Sequence, residues 1–252
     1  MDVSQTIKTN SSEGLIVTDL SDNIANQKYH FYLLDISKNC SIFSNNVISS
    51  FICIEGSASV NGKNISKFKG FHVPPLQKLE FESKNSAKVL LGSTEEIDFS
   101  ISSKKIENKE DLIPLSDYKV EKPWGFENWY TDNLDNPKYA LKRIHMEKDF
   151  QSSLQSHEYK SETNFVIDGE ALVLYGLDAP ADINTEIVIG DLSRKIYSPL
   201  TGWSNRVNEL HRVIAHTSYD AIEISTPELD DVIRWADDND RSSGRIDSEH
   251  NE

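Results

Sequence analysis

The sequence predicts an all-β protein built from two small antiparallel barrels in one chain. Short apolar runs rich in Val, Ile, Phe and Tyr alternate with Gly, Pro and Asn, at the spacing of a β-barrel or β-sandwich. No long segment shows helical periodicity. FICIEGSASVNGK in the first half also parallels NFVIDGEALVLYG in the second, each reading as a strand, an acidic-Gly turn and another strand. This loose repeat favours two copies of one barrel.

The apolar runs give the expected strands. In the first half they cover residues 29–36, 47–60, 70–75 and 87–93. In the second half they cover residues 139–146, 161–176, 185–190, 195–200, 211–216 and 219–226. Residues 229–238, LDDVIRWADD, are predicted to form a short helix.

Composition limits the classes of partner and location. The chain has 252 residues and a net charge of −15, so nucleic acid is not an expected partner, because an acidic surface repels phosphate backbones. No apolar run approaches the roughly 20 residues that span a bilayer, so no membrane association is expected. The first residues lack a secretory pattern, and a cytoplasmic protein is expected. Cys40 and Cys53 lie in apolar runs and are expected to be buried reduced thiols.

The segment SLQSHEYKSETNFVIDGEA contains the chemically informative residues. Gln155 and His157 are two apart and share one side of a strand, and Glu162 follows a short polar bend. His211 opens a later strand that a closed barrel can bring alongside. One amide oxygen, two imidazoles and one carboxylate suit a single divalent ion, such as Zn, Fe, Mn, Ni or Co, with a position left for substrate.

Spacing alone is a weak filter, and each of these four residues could equally be a surface or core side chain. The remaining histidines considered are assigned to that class: His30, His72, His145 and His216.

Residues 122–236 resemble the cupin domain of type II phosphomannose isomerases. Four stretches match in order: KPWGFENWY (122–130), LKRIHMEKDFQSSLQSHEYKSE (141–162), FVIDGEALV (165–173) and LDDVIRWADD (229–238). The resemblance places the metal ligands on Gln155, His157, Glu162 and His211, with Gln155 where the general cupin motif has its first His. It implies a metal-dependent aldose–ketose isomerase acting on a sugar or sugar phosphate.

The resemblance also suggests further site residues. Lys160 and Arg212 are the catalytic candidates, and the base is either Lys160 or a hydroxide on the ion. Arg143 and Arg234 are the substrate-binding candidates, because a guanidinium grips phosphate well. The alternatives are a solvated bend for Lys160 and surface salt bridges for the arginines.

The resulting domain prediction is a bicupin of jelly-roll type. Residues 1–112 are expected to form a degenerate cupin-like barrel without metal, residues 113–238 the metal-binding cupin, and residues 239–252 a flexible acidic tail. Departures from the family lie around the substrate, including HEY at 157–159 and a long turn before His211. Two alternatives therefore stay open: a cupin with other metal chemistry, such as an oxygenase or lyase, and a non-catalytic sugar-binding cupin. A homodimer is expected.

Overall fold

The computed structural model describes residues 2–3, 5–10, 14–21, 28–83, 85–99 and 110–250, with backbone alone at residues 9 and 10. Strands dominate these residues, and the helical elements are two single 3₁₀ turns at Ile189–Asp191 and Asp247–Glu249. The all-β prediction is confirmed. None of the described helical elements has the length and apolarity to cross a lipid bilayer. The chain divides into two compact units, Ser4–Ser116 and Asp117–Glu252, and Met1–Val3 belong to the latter.

The first unit contains ten described strands, which form two facing sets of hydrogen-bonded strands. They are β1 (Thr6–Asn10), β2 (Leu15–Asp19), β3 (His30–Ile36), β4 (Cys40–Phe43), β5 (Ser49–Val60), β6 (Lys63–Ser66), β7 (Gly70–Val73), β8 (Lys78–Glu82), β9 (Ala87–Ser93) and β10 (Ile113–Pro114). The main order is β1-β2-β3-β9-β5-β7-β10, while β8 pairs with both β4 and β5, and β6 pairs with β5.

The second unit contains eleven strands. They are β11 (Lys119–Lys122), β12 (Gly125–Trp129), β13 (Ala140–Met146), β14 (Leu154–Ser156), β15 (Glu162–Asp168), β16 (Ala171–Asp178), β17 (Ser193–Tyr197), β18 (Gly202–Asn205), β19 (Glu209–Ala215), β20 (Tyr219–Ser225) and β21 (Ile233–Ala236). One sheet has the order β11-β12-β13-β20-β15-β18 and the other the order β17-β16-β19-β14-β21.

The two units share one topology. The path β1-β2-β3-β9-β5-β7 corresponds strand by strand to β11-β12-β13-β20-β15-β18, and β6-β5-β8-β4 corresponds to β17-β16-β19-β14. The long strand β5 takes part in both sheets, where the second unit uses the separate strands β15 and β16. The two copies of the sequence repeat therefore lie at equivalent positions, within β5 of the first unit and within β15 and β16 of the second.

A glycine at the same turn of each copy explains the repeated acidic-Gly motif. Gly56 has φ +72° and Gly169 has φ +70°, in the left-handed region that glycine tolerates best. A Cβ atom would lie 2.1 Å from the carbonyl oxygen of Ser86 at the first position, and 2.1 Å from that of Ser218 at the second. Both turns therefore need glycine for the backbone conformation and for the close approach.

The interior of the first unit is filled with hydrocarbon. Tyr32, Phe51 and Phe81 are buried in its core, and Ile42 lies opposite Leu79 where β4 pairs with β8. The corresponding pair in the second unit, β14 with β19, places Gln155 opposite His211. Apolar side chains thus occupy the strand pair that supplies two candidate ligands in the second copy.

Two local predictions are wrong. Residues 229–238 form no helix, because Ile233–Ala236 is a strand that pairs with β14 and so satisfies its backbone through the sheet. Residues 185–190 form no strand and lie in the segment before β17. Ile187 there packs on a buried cluster that contains Leu174 and Leu210. Both cysteines are free, with Cys53 buried and Cys40 half-buried.

The C-terminal segment is folded where the sequence predicts a flexible tail. Arg241 pairs with Asp237 at 2.6 Å and with Glu249 at 3.1 Å, and Glu249 also pairs with Lys122 of β11 at 2.8 Å. His250 is buried against Tyr118 and Trp129. The acidic character that suggested disorder instead supplies partners for basic side chains of the second unit. Residues 251–252 of the predicted tail lie outside the described residues.

Candidate metal centre

The two sheets of the second unit bring three ligand-type side chains to one place. His157 follows β14, His211 lies in β19, and Glu162 begins β15 on the facing sheet. One ligand atom from each of these residues lies within 4.8 Å of the others, and all three residues are buried. Among the described residues they are the single group of three or more His, Cys, Asp or Glu side chains with this geometry.

Both imidazoles are oriented as metal ligands are. The carbonyl oxygen of Asp231 accepts a hydrogen bond from His157 Nδ1, and that of Glu209 accepts one from His211 Nδ1 at 3.0 Å. A proton fixed on Nδ1 leaves the Nε2 lone pair free to bind an ion. His157 Nε2 is buried with no hydrogen-bond partner. Burial, followed by repulsion from Lys160, lowers the pKa of His157 to about 3, so its imidazole is neutral.

Glu162 supplies the carboxylate between the two rings. Its Oε2 lies 3.6 Å from His157 Nε2 and its Oε1 3.4 Å from His211 Nε2. Asn205, its partner across β15 and β18, donates to Oε1 at 2.8 Å. Burial opposes ionisation of Glu162, but Lys160 and the two histidines hold its pKa well below the usual value.

Gln155 of β14 is the fourth predicted metal ligand and lies opposite His211 of β19. Its Nε2 lies 3.3 Å from His211 Nε2, and its Oε1 accepts a hydrogen bond from Ser153 at 2.7 Å. A half-turn of the amide exchanges these two atoms and points Oε1 at the other ligands, while the amide nitrogen then donates to Ser153. Gln155 can therefore serve as a fourth ligand without any change in the backbone.

Lys160 begins a chain of alternating buried charges. Its Nζ lies 2.5 Å from Glu162 Oε2 and 3.1 Å from Glu223 Oε1. Lys142 lies 3.1 Å from the same Glu223 oxygen and 3.5 Å from Glu127. Burial disfavours a charged Lys160, but the two carboxylates outweigh it and raise its pKa. An ammonium held between two carboxylates keeps its proton, so this geometry disfavours Lys160 as the base.

Glu127 is the last residue in this series of alternating charges, and a hydrogen bond and an ion pair fix its side chain. Its Oε2 accepts a hydrogen bond from the indole of Trp129 at 2.7 Å. Burial opposes its ionisation, yet Lys142 and Lys122 bring its pKa down to about 2. Glu127 is therefore ionised at neutral pH, although the side chain is buried.

Asp231 organises the loop between β14 and β15. Its carboxylate accepts hydrogen bonds from the backbone N–H groups of Glu158, Tyr159 and Lys160 at 3.1, 2.6 and 2.8 Å. Burial would raise its pKa, but these three donors lower it. The same residue orients His157 through its carbonyl oxygen. Asp231 was not among the predicted site residues, although it lies in the closing segment that carries the resemblance.

Two of the predicted arginines lie outside the site, because alternate residues of a strand face opposite sides. Arg143 points away from Lys142 and pairs with Asp220 at 2.8 Å beside Phe126. Arg212 points away from His211 and donates to the carbonyl oxygen of Ala236 at 2.9 Å. Neither arginine is among the residues that line the cavity beside this centre.

The centre opens into a cavity of about 100 Å³ within the second unit. Arg234, one of the candidates for substrate binding, lines it, with Nη1 held by the carbonyl oxygens of Ser242 and Gly244. Six cations line the cavity: Lys122, Lys142, Lys160, Arg234, Arg241 and Arg245. Four carboxylates line it: Glu127, Glu162, Glu223 and Asp230. The cavity is therefore locally basic in a chain of net charge −15.

Comparison with solved structures shows which fold this is. An oxalate decarboxylase from Lactobacillus farciminis, in a formate complex, superimposes with TM-score 0.63 and 9% identity over 92% of this chain and 86% of that one. Procruciferin, an 11S globulin from Brassica napus, gives TM-score 0.61 and 11% identity over 89% and 84%. An oxalate decarboxylase from Bacillus subtilis, studied for its Mn(II) centres, gives 0.60 and 10% over 88% and 74%.

These neighbours are cupin-fold proteins, and at such low identity the likeness shows the fold alone. The chain has the bicupin fold, with a possible His/Glu metal site in its second barrel. The sequence matches no model of a known protein family and no curated protein. A fold that is shared by a seed globulin and a decarboxylase does not by itself assign an activity.

Proposed function

We propose that this chain is a metal-dependent cupin enzyme and that its reaction is aldose–ketose isomerisation of a sugar phosphate. The observation that carries the proposal is the convergence of His157 Nε2, His211 Nε2 and a Glu162 oxygen at a buried point beside a basic cavity. The sequence resemblance to type II phosphomannose isomerases supplies the reaction, and the cation-rich lining favours an anionic substrate.

The residues present fit a divalent ion. His157 Nε2 is a buried acceptor without a partner, both Nδ1 atoms are tied to carbonyl oxygens, and Glu162 is ionised. His157, Glu162 and His211 would hold the ion, with Gln155 as a fourth ligand. When bound, the ion supplies a Lewis acid that polarises a carbonyl oxygen.

The chain's own residues position and move charge around it. Asn205 and Lys160 fix the two oxygens of Glu162, at 2.8 Å and 2.5 Å. Lys160 and Lys142 line the cavity between the buried carboxylates, and their ammonium groups are the donors available to a substrate oxygen that gains negative charge. Isomerisation moves a proton between neighbouring carbons, and a carboxylate can carry it. We assign that role to Glu223, which lines the cavity and lies 3.1 Å from Lys160.

One specific observation favours a second candidate, a lyase that acts on a small carboxylic acid. The cavity of about 100 Å³ is small beside the roughly 300–1,000 Å³ of sites for drug-sized ligands. Two of the structural neighbours are named as oxalate decarboxylases, one of them in a formate complex. A diacid as small as oxalate suits this cavity as it stands better than a sugar phosphate does.

Proton exchange separates the two candidates. The metal-loaded protein is incubated in D₂O with mannose 6-phosphate or fructose 6-phosphate, and NMR follows deuterium at the carbon beside the carbonyl. We expect exchange with the wild type, and its loss in Glu223→Gln with the metal retained. Decarboxylation of oxalate, without deuterium exchange in either sugar phosphate, would favour the lyase activity over the isomerase activity. Retained metal with neither reaction would indicate a binding protein.

A further inference from the structure

We propose that Lys122 and Arg241 form an anion-binding subsite in the wall of the metal cavity, and that Glu249 occupies it as a built-in competitor. The ligand is an acid group with two or more oxygens, namely a phosphate or a carboxylate. The assignment of this subsite to a substrate rests on the proposed function, whereas its capacity to bind an anion does not.

Glu249 bridges the two cations as such an acid group would. Its Oε2 accepts from Lys122 Nζ at 2.8 Å and its Oε1 from Arg241 Nη1 at 3.1 Å. The side chains of Lys122, Arg241 and Glu249 are 11%, 9% and 10% exposed. Lys122 and Arg241 line the same cavity as His157 and Glu162. One oxygen per cation is the pattern that a phosphate or carboxylate reproduces.

A second carboxylate orients the Arg241 donor independently of Glu249. Asp237 engages Arg241 through Nε and through Nη2, the latter at 2.6 Å, which leaves Nη1 directed at Glu249. An anion that replaces Glu249 therefore meets an arginine donor that is already oriented, so less ordering is required on binding.

The segment that carries Glu249 is held by polar contacts and by the packing of His250 on Tyr118 and Trp129, with little aliphatic anchoring, so exchange of Glu249 for another anion is feasible. Between residues 241 and 250 the sequence RSSGRIDSEH contains Ile246 as its one aliphatic side chain. Gly244, Arg245, Ile246 and His250 of this segment line the cavity. The segment therefore forms part of the cavity wall, and its displacement withdraws Glu249 and leaves Lys122 Nζ and Arg241 Nη1 to an incoming anion.

Inorganic phosphate is the probe for this subsite. Its Kd is measured by titration calorimetry on the metal-loaded full chain at low ionic strength. Glu249→Gln removes the competing charge and should tighten phosphate binding by about tenfold, as expected if the subsite is free in about a tenth of the wild-type molecules. Asp247→Asn is the matched control, because this carboxylate is 95% exposed and pairs with Arg245 alone among the described groups. It should change the Kd less than about twofold.

A second substitution tests the two cations. Lys122→Met in the Glu249→Gln background should return the phosphate Kd to the wild-type value or weaker. Equal gains in Glu249→Gln and Asp247→Asn, or no loss in the double variant, would overturn the subsite. If Glu249→Gln does not fold, amide hydrogen exchange of the wild type decides. Phosphate should accelerate exchange across residues 244–250, and unchanged or slower exchange there contradicts the proposal. None of these readouts requires turnover, so failure of the isomerase proposal would leave them interpretable.

Discussion

Lys160→Met should destabilise the metal-free protein severely. The ammonium lies 2.5 Å from Glu162 and 3.1 Å from Glu223, with Lys160 only 4% exposed. Its removal leaves two buried carboxylates without that counter-charge, and breaking a buried pair costs about 3–5 kcal/mol. For a chain of this length, that corresponds to a fall in melting temperature of about 6–20 °C. Thermal and urea unfolding in the presence of a chelator measure the loss.

A surface lysine provides the control for this prediction. Lys119 pairs with Glu121 at 2.6 Å, but the two side chains are 45% and 59% exposed. Lys119→Met should therefore cost less than about 1 kcal/mol. Addition of Zn²⁺ should recover part of the loss in Lys160→Met, because a bound ion supplies the missing positive charge beside Glu162. An equal loss of unfolding free energy in the two variants, or no extra stabilisation of Lys160→Met by Zn²⁺, would refute the stabilising role of the alternating buried charges.

Four further predictions address the ligand set, the charges, the first barrel and the assembly. Gln155→Leu should weaken metal binding about 10- to 100-fold in a chelator competition, and an unchanged affinity would remove Gln155 from the ligand set. Glu127 has its pKa depressed from 4.5 to about 2, so its stabilisation is present above pH 4.5 and is lost as the pH falls towards 2. Glu127→Gln should flatten unfolding free energy against pH in that window, and an unaltered profile would contradict this. Phe51→Ala in the first core should cost about 3–5 kcal/mol while metal per chain, by elemental analysis, stays the same; loss of metal would count against a metal-free first barrel. Sedimentation at micromolar concentration should show the homodimer, and a monomer would rule it out.

The fold was predictable because its signals are local and repeated. Apolar alternation indicated most of the strands, and the glycines at 56 and 169 mark turns that accept no side chain. The helix predicted at 229–238 is wrong because this segment forms its backbone hydrogen bonds with β14, a contact that is distant in sequence. The acidic C-terminal residues misled because composition does not show that Arg241 and Lys122 pair with them.

The site was predictable to the extent that its residues cluster in one motif. His157 and Glu162 lie five positions apart, His211 opens a distant strand, and the resemblance placed all three in one ligand set with Gln155. The buried charges at Lys142 and Glu223 were missed, because the strand sequences do not show which charged residue faces inward and only the β13–β20 pairing brings these two together. Arg143 was placed on the wrong face of β13 for a related reason. Alternate residues of a strand face opposite sides, and it is Lys142 that faces the cavity.

The central claim is that the second barrel holds one divalent ion through His157, Glu162 and His211. Elemental analysis of the purified full chain after loading and dialysis tests it most directly. The expected result is about one ion per chain in the wild type and in His145→Ala, whose imidazole lies 3.1 Å from Asp220 on the opposite face of β13. His157→Ala and His211→Ala should retain almost none while remaining folded by circular dichroism. Metal retained at the wild-type level in either ligand variant would contradict the assignment.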